Sequence, residues 1–114
     1  DLRQVRERDI VLMWKKEGEP TWISPPAARY LLDKRIKLLG VQNVIPDDPR
    51  AYQPGSEVLP ETHQILLGND IPIIERLAHL DQITRERVFF IGLPLRVMHL
   101  ESSWIRAVAL EPLD

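Results

Sequence analysis

The sequence predicts an α/β domain, a mixed sheet with flanking helices. Three observations carry that expectation. Short apolar runs at residues 10–14 (IVLMW), 36–41 (IKLLGV) and 71–75 (IPIIE) read as strands bounded by turn residues. Helix-forming segments separate them. The chain then closes on two longer apolar runs, residues 88–97 (VFFIGLPLRV) and 104–110 (WIRAVAL), joined by the polar turn MHLESS, which reads as a hairpin. Alternating strands and helices favour parallel pairing, and the terminal hairpin adds antiparallel pairing.

Each element has a local reason. The first run follows a charged stretch and reads as a buried strand, with KKEGEPT as the turn-rich loop after it. Ser24-Pro25-Pro26 announces a helix: serine caps free amides, and proline suits the first turn, where no N–H is needed. Ala27, Tyr30, Leu31 and Lys34 then recur at helical spacing, with a stop near Arg35. Residues 43–60 hold four prolines and one glycine and read as a long irregular loop, a type that is commonly functional in compact domains. Pro60 and Glu61 open a short helix to Leu67, and Gly68-Asn69 reads as its left-handed C-terminal turn. Residues 78–87 read as a loop with one helical turn. The strand from Val88 is expected to bend at Gly92 or Pro94. No internal repeat or low-complexity tract occurs.

Composition narrows the function. A chain of 114 residues with 44% hydrophobic content has enough for one domain with a real core. A net charge of −2 argues against nucleic acid or an acidic membrane reached by bulk electrostatics. Cysteine is absent, which excludes a disulfide scaffold and any cysteine-based zinc or redox site. No apolar run approaches the ~20 residues that cross a bilayer, and no signal-peptide pattern opens the chain. A cytoplasmic domain is the expectation. The chain starts on a polar stretch without methionine, which reads like the interior of a longer protein.

The residue that asks for an explanation is Glu75, at the end of Ile71-Pro72-Ile73-Ile74. An ionised carboxylate there is costly to bury unless the strand end reaches water, an arginine pairs with it, or a metal binds it. Arg76 is adjacent, but along a strand it points to the opposite face. His63 is expected in the first turn of the short helix. Imidazole and carboxylate are both good ligands for zinc and similar ions. The residues alone leave two readings open, since a strand-end glutamate in solvent is the commoner case and this spacing is no recognised zinc signature. His79, next to Asp81 in sequence terms, and His99 in the hairpin turn read as solvated loop histidines. Trp14 and Trp22 read as packing or pocket-lining groups.

A resemblance bears on the choice. His63, Leu66-Leu67, Ile73-Ile74-Glu75-Arg76-Leu77-Ala78-His79-Leu80, Leu93-Pro94-Leu95 and Arg106-Ala107-Val108-Ala109 occur in the order and spacing of the C-terminal half of the cyclase superfamily. That group includes the bacterial kynurenine formamidases (arylformamidases) and isatin hydrolases. RERDIVLMW and SPPAARYLLDKRIKLLGV resemble its upstream strand and its helix-plus-strand unit, so the resemblance covers nearly the whole chain. It implies a swivelling β/β/α domain, of which residues 1–114 form the C-terminal portion. It also implies a centre of divalent metal, zinc or manganese and often two ions, with His63 as one ligand and Glu75 as the carboxylate able to bridge. The implied activity is metal-dependent hydrolysis of an amide, cyclic amide or lactone bond in a small-molecule substrate.

The departures shape the remaining expectations. The family's His-x-Gly-Thr-His-x-Asp motif, with its other ligands, is not in this sequence, so no catalytic residue is assigned and this chain alone is expected to be inactive. It is expected to need the missing N-terminal half or a complementary chain, and to form a homo-oligomer, with no nucleic-acid or membrane partner. Gln42 stands where the family has aspartate, and Arg76 where it has asparagine. These two changes leave open a second reading, a non-catalytic relative or interaction module that kept the scaffold.

Overall fold

The computed structural model describes residues 1–15, 18 and 21–113. The chain divides into two units, Asp1–Leu80 and Asp81–Asp114.

In the first unit, strand β1 (Ile10–Met13) leads to helix α1 (Pro25–Asp33), then β2 (Leu38–Val41), helix α2 (Glu61–Leu67) and β3 (Ile73–Ile74). The strands form one parallel sheet in the order β1-β2-β3, with Ile10 opposite Leu38 and Leu39 opposite Ile73. Each crossover contains a helix, as parallel neighbours require. β2 lies in the middle, and its run Leu39-Gly40-Val41 is fully buried, as expected for a strand covered on both faces. β1 is at the sheet edge, so only Val11 of it is buried, and the expectation of a wholly buried strand to Trp14 does not hold. Trp14 and Trp22 are 54% and 41% exposed, so neither belongs to the buried core of this unit.

α1 starts where its chemistry predicts. The Ser24 hydroxyl accepts a hydrogen bond from the Ala27 amide at 3.4 Å, and Pro25 takes the first helical position. The helix ends because Arg35 adopts a left-handed backbone, φ 49°. The helix buries Ala28 and Leu31 against Leu39, Val41 and Leu66, and packs against α2. Ala28 was not part of the expected stripe, whereas Tyr30 sits nearer the surface under the Lys34 ammonium, 5.4 Å from the ring centre.

Gly40 sits where two leucine side chains close over the strand. A Cβ there would lie 2.7 Å from both Leu12 Cδ2 and Leu77 Cδ1. Gly40→Ala is therefore expected to cost about 1–3 kcal/mol, the usual range for overpacking a core, read as a lower denaturant midpoint at unchanged slope.

After α2 the chain turns back sharply, but the left-handed residue is Asp70 (φ 59°), not the Gly68-Asn69 pair expected from sequence. Gly68 stays right-handed, and a side chain on it would run into the Gln64 carbonyl. Asn69, Asp70 and Ile71 donate their amides to the last carbonyls of the helix, which closes the return in three residues.

The second unit is an antiparallel hairpin of β4 (Phe89–Pro94) and β5 (Ile105–Leu110), registered from Phe89 opposite Leu110 to Pro94 opposite Ile105. Parallel and antiparallel pairing are thus both present, as the sequence implied, distributed over two sheets. Glu111 ties the loop before β4 to the end of β5: its carboxylate accepts from the Thr84 and Arg85 amides at 2.6 and 3.0 Å. Those amides hold its carboxyl below the usual range.

Candidate metal centre

The carboxyl ends of the three parallel strands lie along one edge of the sheet, the edge where open α/β sheets place ligands. The loops leaving those ends are laced together. The Asn43 side-chain amide donates to the Thr21 carbonyl, and the Ile23 amide donates to the Pro46 carbonyl at 2.8 Å. The Arg76 amide donates to the Asn43 carbonyl at 2.9 Å. This lacing fixes the backbone on either side of Asp47 and Glu75.

Glu75 leaves β3 directly after Ile74. His63 stands in the first turn of α2, as expected. The structure brings the two together: His63 Nε2 lies 3.2 Å from Glu75 Oε1, with the side chains 27% and 34% exposed. Both groups therefore meet at a site that solvent reaches. Arg76 is exposed and has a left-handed backbone, φ 56°. β3 ends at Ile74, so strand alternation does not set the direction of Arg76; a turn does. His79 and His99 are exposed, also with positive φ.

The residue that sequence reasoning missed is Asp47. It lies in the loop after β2 and is 1% exposed. Its Oδ2 is hydrogen-bonded to His63 Nδ1, its Oδ1 accepts from the His63 backbone amide at 3.1 Å, and the Tyr52 hydroxyl donates to Oδ2 at 2.8 Å. These three donors compensate a charge that would otherwise be expensive to bury. The amide contact also explains how α2 begins without a local cap. Pro60 occupies the N-cap position with no side-chain hydrogen bond, so a carboxylate from a distant loop satisfies a first-turn N–H instead. The one available signal was an aspartate in a proline-rich loop, which the sequence marks only as a long irregular segment of a commonly functional type.

Tyr52 sits at the end of a 3-10 turn, Pro49–Tyr52, capped by Asp48. Arg50 folds back on Asp48 at 2.5 Å and holds that carboxyl low. Half of Tyr52 is exposed, but its hydroxyl end is turned toward Asp47. Burial pushes its ionisation up to about 12 from 10.0, helped by the hydrogen bond and charge of Asp47 and by the charge of Glu75. Because the folded value lies above the unfolded one, the stabilisation is present below 10.0 and disappears as pH rises through about 12. Absorbance titration of the phenolate is expected to show a step near 12 that is missing in Tyr52→Phe.

The donor set suits a divalent ion. His63 Nε2 and a Glu75 oxygen are nitrogen and oxygen ligands of the kind zinc and manganese accept, and their separation matches two ligands on one ion. Asp47 is committed to the opposite ring nitrogen. Among the described residues no group of three or more His, Cys, Asp or Glu is arranged to hold a metal, and the two side chains that meet here are fewer than the ~four ligands a zinc site uses.

No family model matches the chain. A kynurenine formamidase from Polaromonas naphthalenivorans is 33% identical over 107 residues, covering 90% of this chain and 45% of that protein. The chain belongs to the cyclase superfamily that includes the kynurenine formamidases. An uncharacterised protein from Methanocaldococcus jannaschii is 39% identical over 51 residues, 44% of this chain and 27% of that protein. Two solved structures share the cyclase-like fold. One, a potential metal-dependent hydrolase with cyclase activity, superposes with a TM-score of 0.71 at 28% identity over 96% of this chain and 55% of its own. The other, described as a predicted metal-dependent hydrolase from Bacillus stearothermophilus, gives 0.69 at 26% identity over 93% and 51%. The chain thus spans about half the length of these relatives, and no described helix is long and apolar enough to cross a membrane.

Proposed function

We propose that this chain supplies part of the metal centre of a hydrolase that cleaves an amide, cyclic amide or lactone bond in a small molecule. The observation that carries the reading is the convergence of His63 Nε2 and Glu75 Oε1 at 3.2 Å, at the carboxyl edge of a parallel sheet. The kinship with a kynurenine formamidase and with proteins described as metal-dependent hydrolases supports it.

In this reading His63 and Glu75 hold the ion, zinc or manganese, alone or as one of a pair. A bound divalent cation supplies polarisation of the scissile carbonyl and acidification of water toward neutral pH. The chain's own residues perform the supporting work. Glu75 brings negative charge to a site that His63 alone would leave neutral. The backbone lacing at Asn43 and Arg76 holds the Glu75 turn in place. The remaining ligands and the acid–base group come from a missing N-terminal half or a complementary chain, and the working unit is a homo-oligomer.

The test is metal analysis of the intact protein combined with hydrolysis assays on an aryl formamide, a cyclic amide and a lactone. Stoichiometric metal and turnover of one of the three are expected. Metal without turnover of any would favour the non-catalytic relative, the reading that the Gln42 and Arg76 departures leave open.

A further inference from the structure

The reading above uses His63 Nε2 and leaves the buried carboxylate behind the ring unexplained. We infer that Asp47 is a positioning residue that fixes His63 in the tautomer protonated on Nδ1, with the lone pair of Nε2 directed at the Glu75 side of the site. The inference rests on the proposed metal role of His63 and deepens it.

Three observations carry it. Asp47 Oδ2 meets Nδ1, while Nε2 on the other side of the ring faces Glu75. Carboxylates only accept hydrogen bonds and both ring nitrogens face one, but a neutral ring has a single proton: the buried Asp47, nearer than the solvent-reached Glu75 at 3.2 Å, takes it on Nδ1, and Nε2 is then the basic nitrogen. Asp47 also grips the His63 backbone amide through Oδ1, so one carboxylate sets both the position of the residue and the orientation of its ring. Tyr52 completes the arrangement. Its hydroxyl spends its proton on Asp47 Oδ2 and therefore presents only lone pairs to Nδ1, 3.3 Å away, which favours the same tautomer. Metal-binding histidines generally depend on such an outer carboxylate, whose removal costs about 10- to 100-fold in metal affinity.

Asp47→Asn separates positioning from packing. The asparagine oxygen can still accept from the His63 amide, which keeps α2 capped. Its NH2 then faces Nδ1 and forces that nitrogen to accept, which moves the ring proton to Nε2 and blocks the metal-facing lone pair. The same substitution beside a catalytic histidine elsewhere leaves geometry intact and yields the wrong tautomer.

The experiment is long-range 15N–1H correlation of the His63 ring in the metal-free intact protein, above the titration range of imidazole, followed by calorimetric zinc binding. Expected results are Nδ1–H in the wild type, Nε2–H in Asp47→Asn with unchanged circular dichroism, and about 10- to 100-fold weaker zinc binding by that variant. Tyr52→Phe keeps the Asp47 contact and should keep the wild-type tautomer. A wild-type ring protonated on Nε2 overturns the inference without any variant. So does an Asp47→Asn protein that binds zinc as tightly as the wild type, or a tautomer switch in Tyr52→Phe, which would assign the role to tyrosine. If the wild type binds no zinc at all, the proposed function fails, while the ring tautomer still decides the role of Asp47.

Discussion

Glu75→Gln is expected to abolish stoichiometric metal binding by the intact protein while leaving its fold unchanged. Glutamine has nearly the same shape but no charge, and its oxygen is a much weaker ligand for a hard or borderline cation. Glu75 is partly exposed and follows a two-residue strand, so the substitution disturbs no core contact. The fall in affinity should exceed the roughly 10- to 100-fold typical of losing an outer hydrogen-bond partner, and hydrolysis should fall with it. His63→Ala should remove metal as well, and its backbone amide can still donate to Asp47. Metal content by plasma emission and zinc titration by calorimetry are the measurements. Full metal occupancy and normal turnover in Glu75→Gln would remove this residue from the site.

Leu66→Ala is expected to be the most destabilising single change near the site, by about 2–5 kcal/mol. α2 has only seven residues, too few for an isolated helix to persist in water. It is therefore held by tertiary contacts, and Leu66 is its completely buried anchor, packed with Leu31, Leu39 and Ile71. The second anchor is polar: the buried Thr62 hydroxyl donates to the Ile23 carbonyl at 2.8 Å. Thr62→Val should cost less, about 1–3 kcal/mol, because it leaves the buried Ile23 carbonyl without its partner. Because His63 rides on this helix, Leu66→Ala should also weaken metal binding, whereas a core truncation on α1, such as Leu31→Ala, should lower stability with a smaller effect on the ion. Denaturant unfolding paired with zinc titration separates the two effects.

Much of this architecture was legible in the sequence because its signals are local. Ser24-Pro25 specifies the start of α1 through a cap and a preset backbone angle, and the apolar runs mark the strands. Pairing was less legible, since the parallel and antiparallel strands fall in two sheets rather than one. Burial along β1 was misjudged because an edge position is a property of the sheet, not of the run Ile10 to Trp14. The turn at Asp70 escaped because glycine marks a left-handed residue only statistically, and here Gly68 serves close approach instead.

The site divides in the same way. His63 and Glu75 were singled out by the odd placement of a charge and a family resemblance, and the structure brings them within 3.2 Å. Asp47 was not, because its role depends on a contact between a loop and a helix that are separated by the 3-10 turn at Pro49–Tyr52. Burial of a carboxylate, with three donors converging on it, appears only in three dimensions. Arg76 shows the opposite error: reasoning by strand alternation assigned it a face, but the strand had already ended.

The central claim is that His63 Nε2 and the Glu75 carboxylate bind the same ion. Anomalous diffraction at the zinc edge, from crystals of the intact protein grown with zinc, tests it most directly. The account predicts a peak about 2.0–2.2 Å from both atoms, with His63 Nδ1 still turned to Asp47. A peak bound through Nδ1, or one that touches neither His63 nor Glu75, would contradict it.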